Sequence, residues 1–461
     1  MLSRSERLAI ERRRVELEDL CFGMFVCELD RPWIDTPFAL QGLMLRRDTE
    51  IAALRRHCRY VYIDLNRCTA EARDAYRKAM RRRGGRAAQK AAEKGLLAGL
   101  FARLRAGLRR SPPGHETAED PERVALAARL LLPAGLRLQA YAAPIPVEEA
   151  MPRARAAVDR GADALDALMR SLSRNVMPDF GAIDDAAAAL VESVIENPDA
   201  AMLVSRMRSE HRSTYEHGLK CALNLLALGR HLGFPKEELV HLAMIGMLAD
   251  IGKTRIPRDI LDKPGLLTTQ EYDTVKTHVA LGLETLRKGL ALDPKVAQGI
   301  AEHHERMDGS GYPAGLTGER ISIYGRMAGI ADCFAALVTE RPHAAALSPQ
   351  DALLRMYEWS RTLLHEALLE QLVQAIGVFP VGSLVELSTG EVALVTEQNR
   401  IRRLEPRVLI VAGPDKTALD APIERDLMMR HDDGMPPARI ARGLSAGAYG
   451  LRLEQFYAVS D

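Results

Sequence analysis

The chain has 461 residues, and its 63 Lys plus Arg nearly balance 62 Asp plus Glu, giving a net charge of +1. That balance removes any whole-molecule electrostatic case for nucleic acid or an anionic membrane, and the length implies more than one core. Six cysteines without a CxxC pair predict reduced thiols in a cytoplasmic protein, and the lack of any apolar run of about 18 residues predicts neither a signal peptide nor a membrane span.

Residues 1–66 read as a small α+β domain. CFGMFVCEL (21–29) and YVYIDL (60–65) have strand composition, and DTEIAALRRHC (48–58) spaces Ile51, Leu54 and Cys58 as a helix does. The turn chemistry of DRPWIDTP (30–37) separates the first strand from the helix. Residues 67–120 turn basic, then Pro/Gly-bearing, then acidic, which predicts a linker with a solvated helical face. Residues 121–200 are Ala/Leu/Val-rich and predict a helical connector, most clearly over 155–173, able to support a homodimer interface.

Helical periodicity continues over 201–375. The period changes in the extension at 376–461. SLVELS (383–388) and EVALVT (391–396) flank a Thr-Gly turn as a hairpin, and RVLIVA (407–412) reads as a third strand. With aromatics at only 5%, the chain is predicted to be mainly α, a helical bundle between a small α+β domain and a short β-rich extension.

A set of His and Asp residues between 217 and 332 carries the chemistry. His217 lies in a helix, Asp250 ends the apolar run MIGMLAD, and His278 sits in an amphipathic helix spanning QEYDTVKTHVALGLETL. His303 and His304 end VAQGIAEHH, and Asp332 lies in the apolar helix GRMAGIADCFAALV. Each alone reads as an ordinary core or surface residue, as His211, His231 and His241 do. Six nitrogen and oxygen donors on apolar faces of one segment read differently. Buried imidazoles and carboxylates need partners, and divalent cations satisfy several at once. After the His pair comes RMDGSGYP, where Asp308, Gly309, Gly311, Tyr312 and Pro313 demand a special loop. Structurally it ends a helix; functionally it would bring backbone and Tyr312 to a phosphate-bearing substrate.

HHERMDGSGYP, with DIGK upstream and KTH between, closely resembles the HD-GYP family of bacterial cyclic di-GMP phosphodiesterases. The likeness runs over roughly residues 200–370 and takes in ILDKPGLLT (260–268), Asp332 and TERPH (339–343). FGMFVCELDRPWIDTPFALQG is similar to a small domain of unknown function often found ahead of such modules. The resemblance implies an HD-superfamily helical bundle over 201–375 holding divalent ions, commonly iron or manganese. By position, His217 and Asp332 would hold one ion, Asp250 would bridge, and His278, His303 and His304 would hold the second. Lys253 would meet the substrate phosphate, and the product of in-line attack would be pGpG, then GMP. The GYP loop would also offer a surface to a signalling-protein partner.

Four positions depart from the family pattern. Ala249 stands where the family has the His of its HD pair, Ala335 where members often carry a second Asp, and His343 where the usual residue is Tyr. Ser213 stands where some members add a Glu for a third ion, so at most two are expected. Two functions follow from the resemblance: a metal-dependent phosphodiesterase impaired by Ala249, or a catalytically degenerate module that binds cyclic di-GMP or a protein and transmits that state.

Overall fold

Strands β1 (Arg12–Glu16), β2 (Phe25–Leu29), β3 (Leu43–Met44) and β4 (Tyr60–Asp64) form one antiparallel sheet in the order β1-β4-β2-β3. In β4 the period is two: Val61 and Ile63 point into the core, while Tyr60 and Tyr62 stay half-buried on the other face. Helix α1 (Asp48–His57) closes that core with Ile51 and Leu54. Helix α2 (Ala70–Arg83) lies within the stretch expected as linker and adds Ala72 and Tyr76, one turn apart, to the same core. Strand β1 is absent from the sequence expectations because RRRVE puts a single residue, Val15, into the core. Its Arg14 instead lays its guanidinium 3.8 Å over the Tyr60 ring.

The computed structural model describes residues 12–30, 43–65, 67–83, 127, 129–133, 135–174, 176–208, 214–263, 267–340, 346–360, 362–399, 402, 404–429 and 438–451. The expected turn at 31–37, residues 84–120 of the expected linker, His211, Ser213 and His343 lie outside them. The chain divides into two compact units, one of Met1–Ala102 with Pro257–Val275 and Pro342–Ala345, the other made of the remainder. Among the described residues no helix is long and apolar enough to cross a membrane.

The second unit begins with α3 (Val147–Ser173), α4 (Gly181–Glu196), α5 (Pro198–Met207), α6 (Thr214–Leu232) and α7 (Lys236–Leu248). The intervening α8 (Arg258–Leu261) and most of α9 (Thr269–Lys276) group with the first unit. α10 (His278–Gly289), α11 (Pro294–Glu302), α12 (Ile323–Leu337), α13 (Pro349–Trp359) and α14 (Glu366–Ile376) complete the bundle. The amphipathic run expected as one helix through His278 is therefore broken at Thr277. Thr277 keeps helical dihedrals (φ −65°, ψ −15°), so the break is a local bend.

α12 is buried around almost its whole circumference, and α7 is buried on every residue from Leu242 to Leu248. A helix apolar on all sides belongs in the middle of a bundle, which is where the Asp-bearing elements need to be. After the bundle, β5 (Leu384–Leu387), β6 (Val392–Glu397), β7 (Arg407–Ala412), β8 (Ala418–Asp426) and β9 (Ile440–Gly443) form an antiparallel sheet in the order β8-β7-β6-β5-β9. The expected hairpin and third strand are its central members. β8 and β9 were not legible because both are mostly exposed edge strands without an apolar face.

α14 starts on a titratable cap. His365 Nδ1 accepts the Leu368 N–H at 3.3 Å, and burial, with the Arg326 and Arg129 cations, lowers the imidazole from its ordinary value to about 4. The unfolded chain protonates this side chain near pH 6.5 and the folded protein only near 4. Its contribution is therefore complete above the unfolded value and lost as the pH falls between the two. His365→Asn retains a capping acceptor without the titration. Urea unfolding of this variant should show a shallower loss of stability than wild type between those pH values; equal slopes would remove His365 as the cause.

Candidate metal centre

Helices α6 and α7 approach so closely that a Cβ on Gly246 would lie 2.4 Å from the Ala222 Cα. This brings the α6 face bearing His217 alongside the C-terminal end of α7. Ala249 caps α7, and Asp250 then leads into a 3₁₀ turn over Ile251–Arg255. Gly252 within that turn rests on the start of α10: a Cβ there would fall 1.9 Å from the His278 carbonyl oxygen. No larger residue allows Asp250 and His278 to sit side by side in this way. His303 caps α11, His304 follows it, and α12 supplies Asp332 from its middle.

The six side chains expected to bind metal converge. Asp250, His278, His303 and His304 each offer one ligand atom, all within 4.8 Å of one another. Asp250 Oδ1 lies 3.5 Å from His278 Nε2 and 3.9 Å from His303 Nε2. Its Oδ2 lies 3.8 Å from His217 Nε2 and accepts from Lys253 Nζ at 2.7 Å. His217 Nε2 donates to Asp332 Oδ1 at 2.7 Å, and the other Asp332 oxygen is 3.9 Å from His304 Nδ1. Asp250 thus stands between the three-imidazole cluster and the His217–Asp332 pair.

The electrostatics suit a cation. Burial pushes the Asp250 carboxyl up, but Lys253, with His217, His278 and His303, outweighs it and holds the group well below the carboxylate range. Burial likewise opposes ionisation of Asp332, and the hydrogen bond from His217 wins and lowers it. Burial pushes His303 and His304 down, and for His304 the neighbouring His303 and His278 push the same way. Neutral imidazoles beside ionised carboxylates are the protonation states that divalent metals require.

Partner accounting points the same way. Asp250 Oδ1, His303 Nε2, His304 Nδ1 and Asp332 Oδ2 are buried and have no hydrogen-bond partner among the described residues. One such orphan costs about 1–3 kcal/mol, and four facing one another are not a packing accident. His303 Nδ1 donates to the Ile300 carbonyl at 2.7 Å, which fixes the tautomer and leaves Nε2 as a lone-pair donor. The residues therefore fit divalent ions held by nitrogen and oxygen ligands.

Lys253 keeps its side chain 20% exposed at the edge of this centre. The loop after the His pair is pinned from below: the buried Glu305 carboxylate accepts from Ala314 N at 2.7 Å and Leu316 N at 2.8 Å. Gly309 and Gly311 turn the chain back over the 304–306 backbone, and the Asp308 carboxylate accepts from Ser310 N at 3.0 Å. Tyr312 is buried and stacks on His304 with ring centroids 4.6 Å apart, whereas Pro313 is exposed. His231 and His241 have ordinary partners, Gln371 at 3.2 Å and Glu238 at 3.2 Å.

One residue near the centre escaped the sequence reading. Cys221 Sγ lies 3.4 Å from His217 Nε2, and His217, Cys221 and Asp332 form a second group with ligand atoms within 4.8 Å. The available signal was its place four residues after His217 on one helical face.

Two family models match the chain: an HD domain over residues 202–365, and a domain of unknown function (DUF3391) over residues 12–183. Among curated proteins, a cyclic di-GMP phosphodiesterase of Pseudomonas aeruginosa is 28% identical over 86% of this chain and 84% of its own. A cyclic di-GMP phosphodiesterase response regulator of Xanthomonas campestris is 40% identical over 28% of this chain and 35% of its own. A 3'3'-cGAMP-specific phosphodiesterase of Vibrio cholerae is 34% identical over 33% of this chain and 36% of its own.

Gly252 is the tightest backbone contact at the centre, so Gly252→Ala should cost about 1–3 kcal/mol of stability and weaken divalent-metal uptake together. Urea unfolding and metal analysis on one preparation test this. A variant within about 0.5 kcal/mol of wild type would show that the turn does not need the contact.

Proposed function

We propose, because this is an HD-domain protein with its HD domain at residues 202–365, that the chain is a metal-dependent phosphodiesterase opening cyclic di-GMP to pGpG and then GMP. The observation that carries this reading is the buried set of Asp250, His278, His303 and His304 beside the His217–Asp332 pair, with four orphaned ligand atoms turned on one another. In this assignment His217 and Asp332 hold one ion, His278, His303 and His304 the other, and Asp250 lies between them. Iron or manganese suits such mixed imidazole and carboxylate ligands. The bound ions supply Lewis acidity at the phosphoryl oxygens and make water a competent nucleophile at neutral pH.

The protein's own groups do the rest. The Lys253 ammonium, partly open to solvent, offsets charge developing on the phosphate. The loop carrying Asp308, Gly309, Gly311, Tyr312 and Pro313 borders the substrate, and the buried Glu305 holds it in one shape, so little ordering is left for binding. Tyr312 acts through His304, whose ring it covers, and the exposed Pro313 is available to a base or to a signalling partner. The relatives' names support the substrate class, a cyclic dinucleotide, with cyclic di-GMP in two of the three.

A second reading rests on Ala249, which lines the cavity at the centre and brings no donor atom. On that reading the module binds the dinucleotide and transmits its presence without turnover. Metal analysis and cyclic di-GMP turnover decide between them when run on the wild-type chain, Ala249→His and Asp250→Ala. The expected result is pGpG from the metal-loaded wild type, with metal content and rate falling by at least about 10–100-fold in Asp250→Ala. Tight dinucleotide binding without turnover, with activity appearing only in Ala249→His, would establish the regulatory module instead.

A further inference from the structure

One cavity in the second unit is walled by His217, Cys221, Ala249, Asp250, His303 and Asp332. Five of these carry a nitrogen, oxygen or sulfur donor, whereas Ala249, like Leu225, Ile245, Gly246 and Ala328 in the same lining, carries none. We infer that the Cys221 thiolate is a direct metal ligand at the His217–Asp332 position and supplies there the donor that Ala249 lacks. The inference deepens the metal-centre reading above and rests on it.

Three observations carry it. His217 and Cys221 are four residues apart on α6, so their side chains share one face, and Sγ stands 3.4 Å from His217 Nε2. The ligand atoms of His217, Cys221 and Asp332 lie within 4.8 Å of one another, close enough to share an ion. Independently of the cysteine, Asp332 and Asp250 line the same cavity, and each has one buried oxygen, Oδ2 and Oδ1, with no hydrogen-bond partner among the described residues. The wall therefore contains acceptors that need a cation, and the thiol lies among them. Cys333 shows the contrast: equally buried, it lies outside this cavity, with its sulfur 3.6 Å from an Arg306 nitrogen.

The chemistry balances simply. On binding, the S–H proton goes to solvent and a sulfur electron pair forms the bond to the ion. His217 nitrogen, Cys221 sulfur and carboxylate oxygen from Asp332 and Asp250 then make a four-donor set. A thiolate in that set favours zinc, iron or cobalt over manganese and magnesium. The three-imidazole position keeps only nitrogen and oxygen donors, so the two positions would differ in metal preference.

Cobalt(II) added to the metal-stripped full chain reads the sulfur directly. The wild type is expected to show a sulfur-to-cobalt charge-transfer band in the near ultraviolet. That band should be absent from Cys221→Ser and retained in Cys333→Ser, and Cys221→Ser should bind cobalt at that position at least about 10-fold more weakly. Cys221→Ser combined with Ala249→His should regain the affinity without the band; failure to regain it would overturn the substitution for Ala249. X-ray absorption at the cobalt edge of the wild type needs no variant, and one sulfur scatterer is expected there. Cobalt bound with only nitrogen and oxygen neighbours would overturn the thiolate and leave the metal centre standing. No cobalt bound at all would overturn both.

Discussion

The bundle is organised around the burial of two carboxylates. Asp250 and Asp332 are 6% and 5% exposed, and removing two such anions from water costs several kcal/mol each in an apolar interior. The protein offsets part of this with one ammonium and one imidazole, Lys253 on Asp250 and His217 on Asp332, both at 2.7 Å. Each carboxylate still keeps one oxygen unmatched, and these oxygens face His303 and His304 nitrogens that are also unmatched. A divalent cation serves both acceptor types at once, because neutral imidazole lone pairs and carboxylate oxygens repel one another without a positive or donating partner. A bound divalent ion would offset that repulsion and would couple metal binding to the stability of the bundle.

Holding that arrangement requires backbones closer than ordinary helix packing allows. The crossing at Gly246 puts α7 against the Ala222 backbone of α6, and the turn at Gly252 rests on the His278 carbonyl. Both glycines weaken their elements locally through backbone entropy, a loss tolerated where side-chain placement matters more than helix stability. The same economy applies to the loop after the His pair. Buried Glu305 and the fully buried Arg306, which donates to the carbonyls of His303 at 3.2 Å and Glu305 at 2.9 Å, fix its base. Function and packing are therefore not separable in this segment: the residues that shape the loop also cap the helix that presents His303.

The local signals in the sequence were readable because the chemistry is written in short motifs. DIGK, the His pair and the glycine-rich loop after it announce the centre, and α1, β4, β6 and β7 begin and end within about one residue of their expected bounds. What escaped is what depends on distant partners. Strand β1 exists because β4 offers it an edge and Tyr60 a surface for Arg14, neither of which its own composition reveals. Tyr312, read as available to substrate, is stacked on His304 because the loop folds back over residues 304–306. Cys221 escaped because a cysteine in an apolar helix usually packs a core, and only the fold brings it to the cavity that Ala249 also lines.

Ala249 then takes on a different meaning. As a gap in a family pattern it suggests decay. As part of the lining of a cavity that also carries a thiol, it suggests that the donor set has been rearranged. An imidazole at position 249 and the Cys221 thiolate on α6 would reach the same ion from different elements, so exchanging one for the other would preserve ligand number while changing ligand softness. Softness governs which ion is held and how strongly it withdraws charge from a bound phosphate, since a thiolate donates more charge to the metal than an imidazole does. A centre with one soft and one hard position would divide the work unequally, the nitrogen and oxygen position acting as the stronger Lewis acid. On this account Ala249 would bear first on metal identity and only through it on rate.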